Sequence, residues 1–211
     1  MKIYKYAVGP LGTNCYLMVD EATREAVIVD PGDTTPDRIL NAARDKQCRV
    51  TAILITHGHF DHVLSLNELR EATGAPLLHH EAETALLHDN DKNMFHRYSR
   101  LNPTFAPADR LLADGDTVTV GQSSLTVCHT PGHTPGSLCL FDHEAGAVLT
   151  GDTLFRESAG RYDFPGGDYD TLMASLAKLV KACDGRDMKL FPGHGPSTHL
   201  YHELEHNLYL N

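Results

Sequence analysis

The sequence has few of the features that mark several classes of protein. Its five cysteines are widely spaced and include no CxxC pair, so we expect free, mostly buried thiols rather than a disulfide framework. Lysine and arginine total 18 against 28 aspartates and glutamates, and the net charge of -10 leaves no basic surface for nucleic acid or an anionic membrane. Residues 1–10 contain no signal-peptide core, and no later apolar run approaches the length of a membrane span. We therefore expect a cytoplasmic protein that binds neither nucleic acid nor membrane.

What the sequence does contain fits one well-buried domain. Its 211 residues are enough to bury a sizeable core. An apolar fraction of 41 % is ordinary for a globular protein. No internal repeat, low-complexity segment or linker divides the chain. We therefore expect a single domain over residues 1–211, as a monomer or a small homo-oligomer.

Alternating and apolar runs predict two β-rich halves, each followed by helices. The predicted strands cover residues 3–8, 15–19, 26–29, 50–55, 76–80, 118–120, 125–128, 138–141, 147–150 and 188–191. Five helices are predicted. The first has Thr35 as N-cap and Pro36 as its first residue, three more cover residues 61–73, 81–88 and 168–183, and a short helix lies at the C-terminal end. This order predicts an α/β protein in which two sheets pack face to face with helices outside, a four-layer αββα sandwich.

Two segments and one side chain carry further expectations. Residues 89–109 are irregular, and the sequence leaves two interpretations open, a lid over a substrate or a packed surface insertion. From Leu111 onward we expect the β pattern to resume as a series of hairpins. Asp61 lies at the start of a predicted helix, where its charge would favour the helix dipole.

Three histidines and an aspartate fall within six positions directly after an apolar strand. His57 and His59 are two positions apart and do not share one face of a helix, so they require a tight turn, which the glycine between them makes sterically possible. With Asp61 and His62 the segment offers neutral imidazole nitrogens and a carboxylate, which suit zinc, iron or manganese. The segment therefore predicts a metal site.

Three later loops share this local design. In each, an apolar strand leads to a glycine-containing turn that presents one histidine or aspartate, namely His133, Asp152 and His194. Loops at the strand ends of a rigid scaffold are where binding and catalysis concentrate. Together with the first cluster, this recurrence predicts that the three side chains complete the metal site.

These residues resemble the ligand set of a known family. The run from His57 to His62 matches the HxHxDH signature of the metallo-β-lactamase superfamily, and residues 29–32 and 130–136 are similar to its flanking motifs. Residues 151–155 and 160–168 look like those of the glyoxalase II (hydroxyacylglutathione hydrolase) group, especially its short bacterial members. The resemblance covers nearly the whole chain and implies the four-layer fold predicted above.

The resemblance also implies a centre with two divalent metal ions, for which zinc is favoured and iron and manganese are alternatives. It assigns His57, His59 and His133 to one ion, Asp61, His62 and His194 to the other, and Asp152 to a bridge between them. Two cations about 3.5–4 Å apart lower the pKa of a bound water from about 15.7 to about 7. The expected reaction is attack of the resulting metal-bound hydroxide on a thioester such as S-lactoylglutathione, with Asp61 as the catalytic residue that orients it.

Asp30 and Arg161 are candidates for supporting roles. Asp30 would accept a hydrogen bond from the second nitrogen of a ligand imidazole, although an aspartate that ends a strand also serves simply to form a turn. Arg161 lies where the glyoxalase II group places a basic residue for glutathione, and an ordinary loop arginine is the alternative.

One departure from the glyoxalase II group leaves the substrate open. Full-length members continue after the last ligand histidine into a helical domain that helps to bind glutathione, and we expect this chain to lack it. Another small-molecule thioester or an ester is therefore an alternative substrate. Other enzymes on the same fold are a persulfide dioxygenase, with one iron bound by His57, His133 and Asp152, and a lactonase or other esterase. A metal-binding protein without catalytic activity is the alternative outside enzymes.

Overall fold

The N-terminal half of the chain builds the first of two six-stranded sheets. A computed structural model describes all residues from 1 to 211. In both chain and spatial order the sheet contains β1 (Lys2–Val8), β2 (Thr13–Val19), β3 (Glu25–Val29), β4 (Arg49–Leu54), β5 (Leu77–His80) and β6 (Arg110–Leu112). β1, β2 and β3 are antiparallel neighbours, whereas β3 to β6 run parallel.

The C-terminal half builds the second sheet. In chain order the strands are β7 (Thr117–Val120), β8 (Ser123–His129), β9 (Leu138–Asp142), β10 (Ala147–Gly151), a separate hairpin of β11 (Leu154–Phe155) and β12 (Ser158–Ala159), then β13 (Lys189–Pro192) and β14 (Thr198–His199). The spatial order of the sheet is β14-β13-β10-β9-β8-β7. β8 and β10 are both antiparallel to β9, and β13 is parallel to β10. β8, β10 and β13 therefore all end at the same end of the sheet.

Helices cover the outer faces of both sheets. They are α1 (Asp37–Asp45), α2 (Leu66–Thr73), α3 (Thr84–Leu87), α4 (Phe95–Tyr98), α5 (Tyr169–Ala182) and α6 (Leu200–His206). Asp168 caps α5 by accepting a hydrogen bond from Thr171 N–H at 2.8 Å. Even α5, the longest at 14 residues, falls short of a bilayer crossing, and no helix combines the necessary length and apolarity.

Alternate residues of the strands face different layers. Along β2, Leu17 packs in a cluster with residues of α1 and α2, and Met18 packs against residues of the second sheet. Beyond that sheet, Leu176 of α5 packs with Val148 of β10. The layers are therefore helix, sheet, sheet and helix, which confirms the predicted αββα sandwich. The five cysteines are all free, and four of them are buried within these layers.

The helix predicted to begin at Asp61 begins at Leu66 instead. Before it, Phe60–His62 form a single 3-10 turn. An α-helix through this point would need Ser65 N–H to donate to the Asp61 carbonyl, but it donates to the Pro31 carbonyl at 3.1 Å. Because Asp61 does not lie at the start of the helix, the prediction that it favours the helix dipole is wrong.

Two further boundaries differ from the sequence predictions. α1 begins at Asp37, and Pro36 rather than Thr35 occupies the N-cap position. The strand at Leu111 does not begin a series of hairpins, because β6 pairs parallel with β5 in the first sheet. The expected antiparallel series starts at β7 instead, and each of β7, β8 and β9 pairs antiparallel with the strand that follows it. Pairing between strands so far apart in sequence leaves no local pattern from which to predict it.

Residues 89–109 pack against the body of the protein. Phe95 and Phe105 belong to the buried cluster between the first sheet and its helices. Phe60 N–H donates to the Asn93 carbonyl at 2.8 Å, which joins this segment to the 3-10 turn. The segment is therefore packed, as the insertion interpretation expects.

Candidate metal centre

Four loops meet at one end of the sandwich, following β4, β8, β10 and β13. Leu138 N–H donates to the Thr56 carbonyl at 3.1 Å and so joins the loop after β4 to the second sheet. The loops bring together all seven candidate ligands, which are His57, His59, Asp61, His62, His133, Asp152 and His194. Three triplets within this set have their nitrogen or oxygen atoms within 4.8 Å of one another.

The deeper half of the cluster consists of His57, His59 and His133, and all three are buried. His59 Nδ1 lies 2.9 Å from His133 Nε2. His133 Nδ1 lies 2.6 Å from the carbonyl oxygen of Arg161. Because a carbonyl only accepts hydrogen bonds, this contact assigns the proton of a neutral His133 to Nδ1. Nε2 is then left as a lone-pair donor that faces the cluster.

The outer half consists of Asp61, His62 and His194. His194 Nε2 lies 3.1 Å from Asp61 Oδ2 and 3.3 Å from His62 Nε2. The side chain of His194 is 27 % exposed, whereas that of His62 is fully buried. The outer half is therefore the more exposed of the two.

Asp152 lies between the two halves. Its Oδ2 is 3.6 Å from Nε2 of His133 in the deeper half and 3.6 Å from Nε2 of His194 in the outer half. Its Oδ1 is 3.4 Å from His62 Nε2. One carboxylate is thus shared by both halves, the position expected of a bridging ligand.

The donor set fits divalent cations. His57 Nε2 and Asp152 Oδ1 are buried and have no hydrogen-bond partner. A buried polar atom without a partner costs about 1–3 kcal/mol, and a bound cation would remove that cost. Imidazole nitrogens together with carboxylate oxygens accept zinc, iron or manganese.

The charges within the cluster also favour a cation. Burial, reinforced by the neighbouring imidazoles, lowers the pKa of His57 and that of His59, the latter to about 3, so both rings are neutral and able to bind metal. Burial also acts to lower the pKa of His62, but Asp152, Asp61 and Asp30 outweigh it and raise the pKa well above its ordinary value. The carboxylates thus stabilise positive charge at the position of His62.

A sequence profile of the metallo-beta-lactamase superfamily matches residues 8–194, a range that includes every residue of the cluster. The chain belongs to the metallo-β-lactamase superfamily. The match includes most strands of both sheets and all four ligand loops, in agreement with the fold described above.

Two relatives in this superfamily are similar to the chain over nearly its whole length. The probable metallo-hydrolase YqgX of Bacillus subtilis is 33 % identical over 211 residues, which cover 100 % of this chain and 98 % of the relative. The hydroxyacylglutathione hydrolase GloC of Haemophilus influenzae is 32 % identical over 200 residues, which cover 94 % of this chain and 92 % of the relative.

Solved structures of superfamily members match the fold closely. The BLEG-1 B3 metallo-beta-lactamase aligns with a TM-score of 0.92 and 34 % identity, covering 100 % of both chains. TTHA1623 in a di-iron-bound form aligns with a TM-score of 0.87 and 36 % identity, covering 98 % of this chain and 100 % of the other. A centre for divalent metals therefore suits the fold.

Asp30 and Thr13 contact the outer half from behind. Asp30 Oδ2 lies 2.9 Å from His62 Nδ1, and the same carboxylate accepts hydrogen bonds from the N–H and hydroxyl of Thr56, both at 2.7 Å. The hydroxyl of Thr13 donates to Asp61 Oδ2 at 2.7 Å. Asp30 was a candidate from the sequence, whereas Thr13 was not, because a threonine at the start of a strand carries no distinguishing signal.

A buried glutamate, Glu83, lies behind the deeper half and was also missed. Its carboxylate accepts hydrogen bonds from Gly58 N–H, Gly136 N–H and the hydroxyl of Thr134. Burial raises the pKa of Glu83, and these three donors act in the opposite direction. A glutamate in a short polar helix is ordinarily solvent-exposed, so its sequence position gave no signal.

A cavity of about 370 Å³ opens onto the cluster. His59, Asp61, His133, Asp152 and His194 form its polar floor. Apolar and aromatic side chains supply most of the wall, which consists of Leu11, Phe60, Met94, Tyr98, Phe155 and Phe164 together with Arg161. Part of the 89–109 segment therefore lines the cavity even though the segment is packed.

Arg161 is the single cation in the wall of this cavity. Its guanidinium makes two hydrogen bonds to Asp163, at 2.9 and 2.7 Å, and lies over the ring of Phe164, 4.2 Å from its centroid. Both charged side chains are more than half exposed. Arg161 therefore reaches the cavity already paired with an acid.

Proposed function

We propose that the protein is a metal-dependent hydrolase that acts on a small-molecule thioester, with S-lactoylglutathione as the first candidate. The observation that carries the proposal is the cluster of seven histidine and aspartate side chains, five of which form the polar floor of a cavity with a mostly apolar wall. The similarity to the hydroxyacylglutathione hydrolase GloC over 94 % of the chain supports the choice of substrate class.

The seven side chains would bind two divalent ions, with His57, His59 and His133 on one, Asp61, His62 and His194 on the other, and Asp152 between them. Bound there, the ions would supply Lewis acidity and lower the pKa of water, which is the chemistry that ester and thioester hydrolysis requires. Zinc is the favoured ion, and the di-iron form of TTHA1623 supports iron as an alternative.

Asp61 would act as the catalytic residue that orients the attacking water. Its Oδ2 accepts the hydroxyl proton of Thr13 at 2.7 Å, which fixes the carboxylate, and its side chain reaches the cavity floor. Burial acts to raise the pKa of Asp61, but His62 and His194 outweigh it and keep the pKa below its ordinary value. An ionised carboxylate at this position can accept a proton from water.

The cavity wall would bind the remainder of the substrate. Leu11, Met94 and Phe155 offer apolar surface for an acyl or thiol group and exclude bulk water from the reacting carbonyl. Arg161 would bind a substrate carboxylate, such as one of those of glutathione. Because the guanidinium is already hydrogen-bonded to Asp163, we expect Arg161 to contribute only modestly to substrate binding.

A persulfide dioxygenase is the second candidate, since iron suits the same histidine and aspartate ligands. That reaction would use a single iron bound by His57, His133 and Asp152. The remaining four side chains of the cluster would then have no assigned role, although His59, Asp61 and His194 line the cavity floor and His62 lies beside Asp61 and His194. Their presence supports the hydrolase over the dioxygenase.

The deciding experiment follows the loss of thioester absorbance from S-lactoylglutathione, with the purified protein loaded in turn with zinc, iron or manganese. Metal-dependent turnover would support the proposal and would show that residues 1–211 need no additional helical domain. Absence of turnover by a fully metallated protein would contradict it. Oxygen consumption with glutathione persulfide, and hydrolysis of a lactone or a β-lactam, would then identify the reaction.

A further inference from the structure

We propose that Glu83 is a positioning residue that fixes the two loops of the deeper half relative to each other and thereby sets the metal affinity of that half alone. The inference rests on the proposed metal centre but not on the proposed substrate. Nothing in the ligand motif includes Glu83, which lies in the 3-10 turn Glu81–Glu83 that precedes α3.

The hydrogen bonds of Glu83 join the two loops directly. Oε1 accepts the N–H of Gly58 at 2.7 Å, and Gly58 lies between His57 and His59. Oε2 accepts the N–H of Gly136 at 2.7 Å and the hydroxyl of Thr134 at 2.9 Å, and Thr134 directly follows His133. One carboxylate thus contacts the backbone on both sides of the deeper half, and all three donors come from the two ligand loops.

The carboxylate has no other structural task. Glu83 occupies the N-cap position of α3, but its side chain makes no capping hydrogen bond to that helix. Its side chain is fully buried, and it takes part in no ion pair with lysine or arginine. Burying an acid without a paired cation costs free energy. What this burial makes possible is the set of hydrogen bonds from Glu83 to the two ligand loops.

The loops approach Glu83 so closely that glycine is required at one contact. A Cβ atom on Gly136 would lie 2.4 Å from the backbone nitrogen of Glu83 and 2.5 Å from its Cβ. A Cβ atom on Gly58 would lie 3.3 Å from Glu83 Oε1. The spacing between the two loops is therefore set by direct contact with this residue rather than by intervening side chains.

The outer half is positioned by other groups. Asp61 is contacted by Thr13, and His62 by Asp30. The loop of His194 receives hydrogen bonds from the side-chain amide of Asn14, at 2.8 Å to the Pro192 carbonyl and 2.9 Å to that of Gly195. Loss of Glu83 should therefore weaken metal binding by the deeper half and spare the outer half.

The test measures the affinity of one zinc ion at a time by competition with a chromophoric chelator. In a His194→Ala background the deeper half binds the ion, and in a His133→Ala background the outer half does. Glu83→Gln replaces one acceptor oxygen by an amide group that cannot accept. We expect it to weaken zinc binding about 10- to 100-fold in the first background, the range for groups that orient metal ligands, and to leave the second unchanged.

Glu203→Gln is the matched control. Glu203 is also a fully buried glutamate with three donors, the N–H of Glu157, the hydroxyl of Thr198 and the amide of Asn207. None of these donors adjoins a cluster residue in the sequence. Glu203→Gln should lower the melting temperature while leaving both zinc affinities unchanged.

Thr134→Val serves if Glu83→Gln does not fold, because it removes one of the three hydrogen bonds and nearly preserves the shape of the side chain. It should also weaken zinc binding in the His194→Ala background, by a smaller factor than Glu83→Gln. If Glu83→Gln or Thr134→Val weakened zinc binding equally in both backgrounds, or in neither, the role of Glu83 would be overturned. Absence of any zinc binding would overturn it as well. Selective loss in a protein that hydrolyses no thioester would uphold this role and refute the proposed substrate.

Discussion

The two halves of the metal centre are supported in different ways. In the deeper half, one carboxylate, that of Glu83, joins both ligand loops, and the carbonyl of Arg161 orients His133. In the outer half, the supporting hydrogen bonds come from several groups along β2 and from the end of β3. The hydroxyl of Thr13, the amide of Asn14 and the phenol of Tyr16 each make one or two of them.

This difference predicts how each half responds to change. The deeper half is fully buried and depends on few contacts, so the loss of one should shift both of its loops at once. The outer half shares its support among several contacts and includes the partly exposed His194, so single losses should have smaller effects. Removal of Asp152, which belongs to both halves, should impair both halves alike.

Asp152→Ala is therefore expected to have the largest effect. Both halves lose the carboxylate that lies within 3.6 Å of His133 and of His194. Zinc content should fall, and kcat/KM for the thioester should decrease by more than about 100-fold, since even groups that only orient ligands contribute about 10- to 100-fold. His59→Ala should also abolish turnover but should leave one zinc ion bound per chain. Unchanged rates in both variants would contradict the metal mechanism.

Gly193→Ala should have the next largest effect, acting on the outer half and on the bridge. An added Cβ atom would lie 2.1 Å from Asp152 Oδ1 and 2.8 Å from His62 Cε1. We expect destabilisation of about 1–3 kcal/mol from overpacking and weaker zinc binding, measured by thermal unfolding with and without zinc. Gly195→Ala is the comparison, because no atom lies within 4 Å of its added Cβ and its φ of +73° makes the substitution strain the backbone without a clash. A Gly195→Ala protein as poor in zinc as Gly193→Ala would point to backbone strain instead of the predicted clash.

Thr13→Val tests the shared support of the outer half. The substitution removes the hydrogen bond to Asp61 Oδ2 but leaves the contact between Asp61 and His194 at 3.1 Å. A hydrogen bond to a charged group contributes about 1.5–3 kcal/mol, so kcat should fall by about 10- to 100-fold. Thr13→Ser retains the hydroxyl and should preserve most of the activity. If Thr13→Val were as damaging as Asp152→Ala, the support of the outer half would not be shared.

Much of the fold and of the candidate site could be predicted because the signals are local. Each proposed ligand lies just after an apolar strand, at a turn that contains glycine, so the sequence marks both the position and the chemistry of His133, Asp152 and His194. The four-layer order followed from the alternation of strands and helices in the same way.

What the sequence did not reveal depends on contacts between distant segments. Glu83 lies 53 positions from Gly136, and its burial depends on the approach of that loop. β6 joins β5 in the first sheet rather than the hairpins that follow it, and a hydrogen bond from Ser65 to Pro31 delays α2 until Leu66. Neither kind of contact leaves a pattern within a short window of residues.

The smallest expected effect lies outside both halves, at Arg161. Because its guanidinium is exposed and already paired with Asp163, Arg161→Ala should raise KM for a thioester that carries carboxylates by only about two- to five-fold. Asp163→Asn should lower the same KM, because it frees the guanidinium for the substrate. A neutral thioester serves as the control and should respond to neither substitution. If Arg161→Ala instead lowered kcat for both substrates, the effect would have to come from a shift of the backbone carbonyl of residue 161, which contacts His133 in the deeper half.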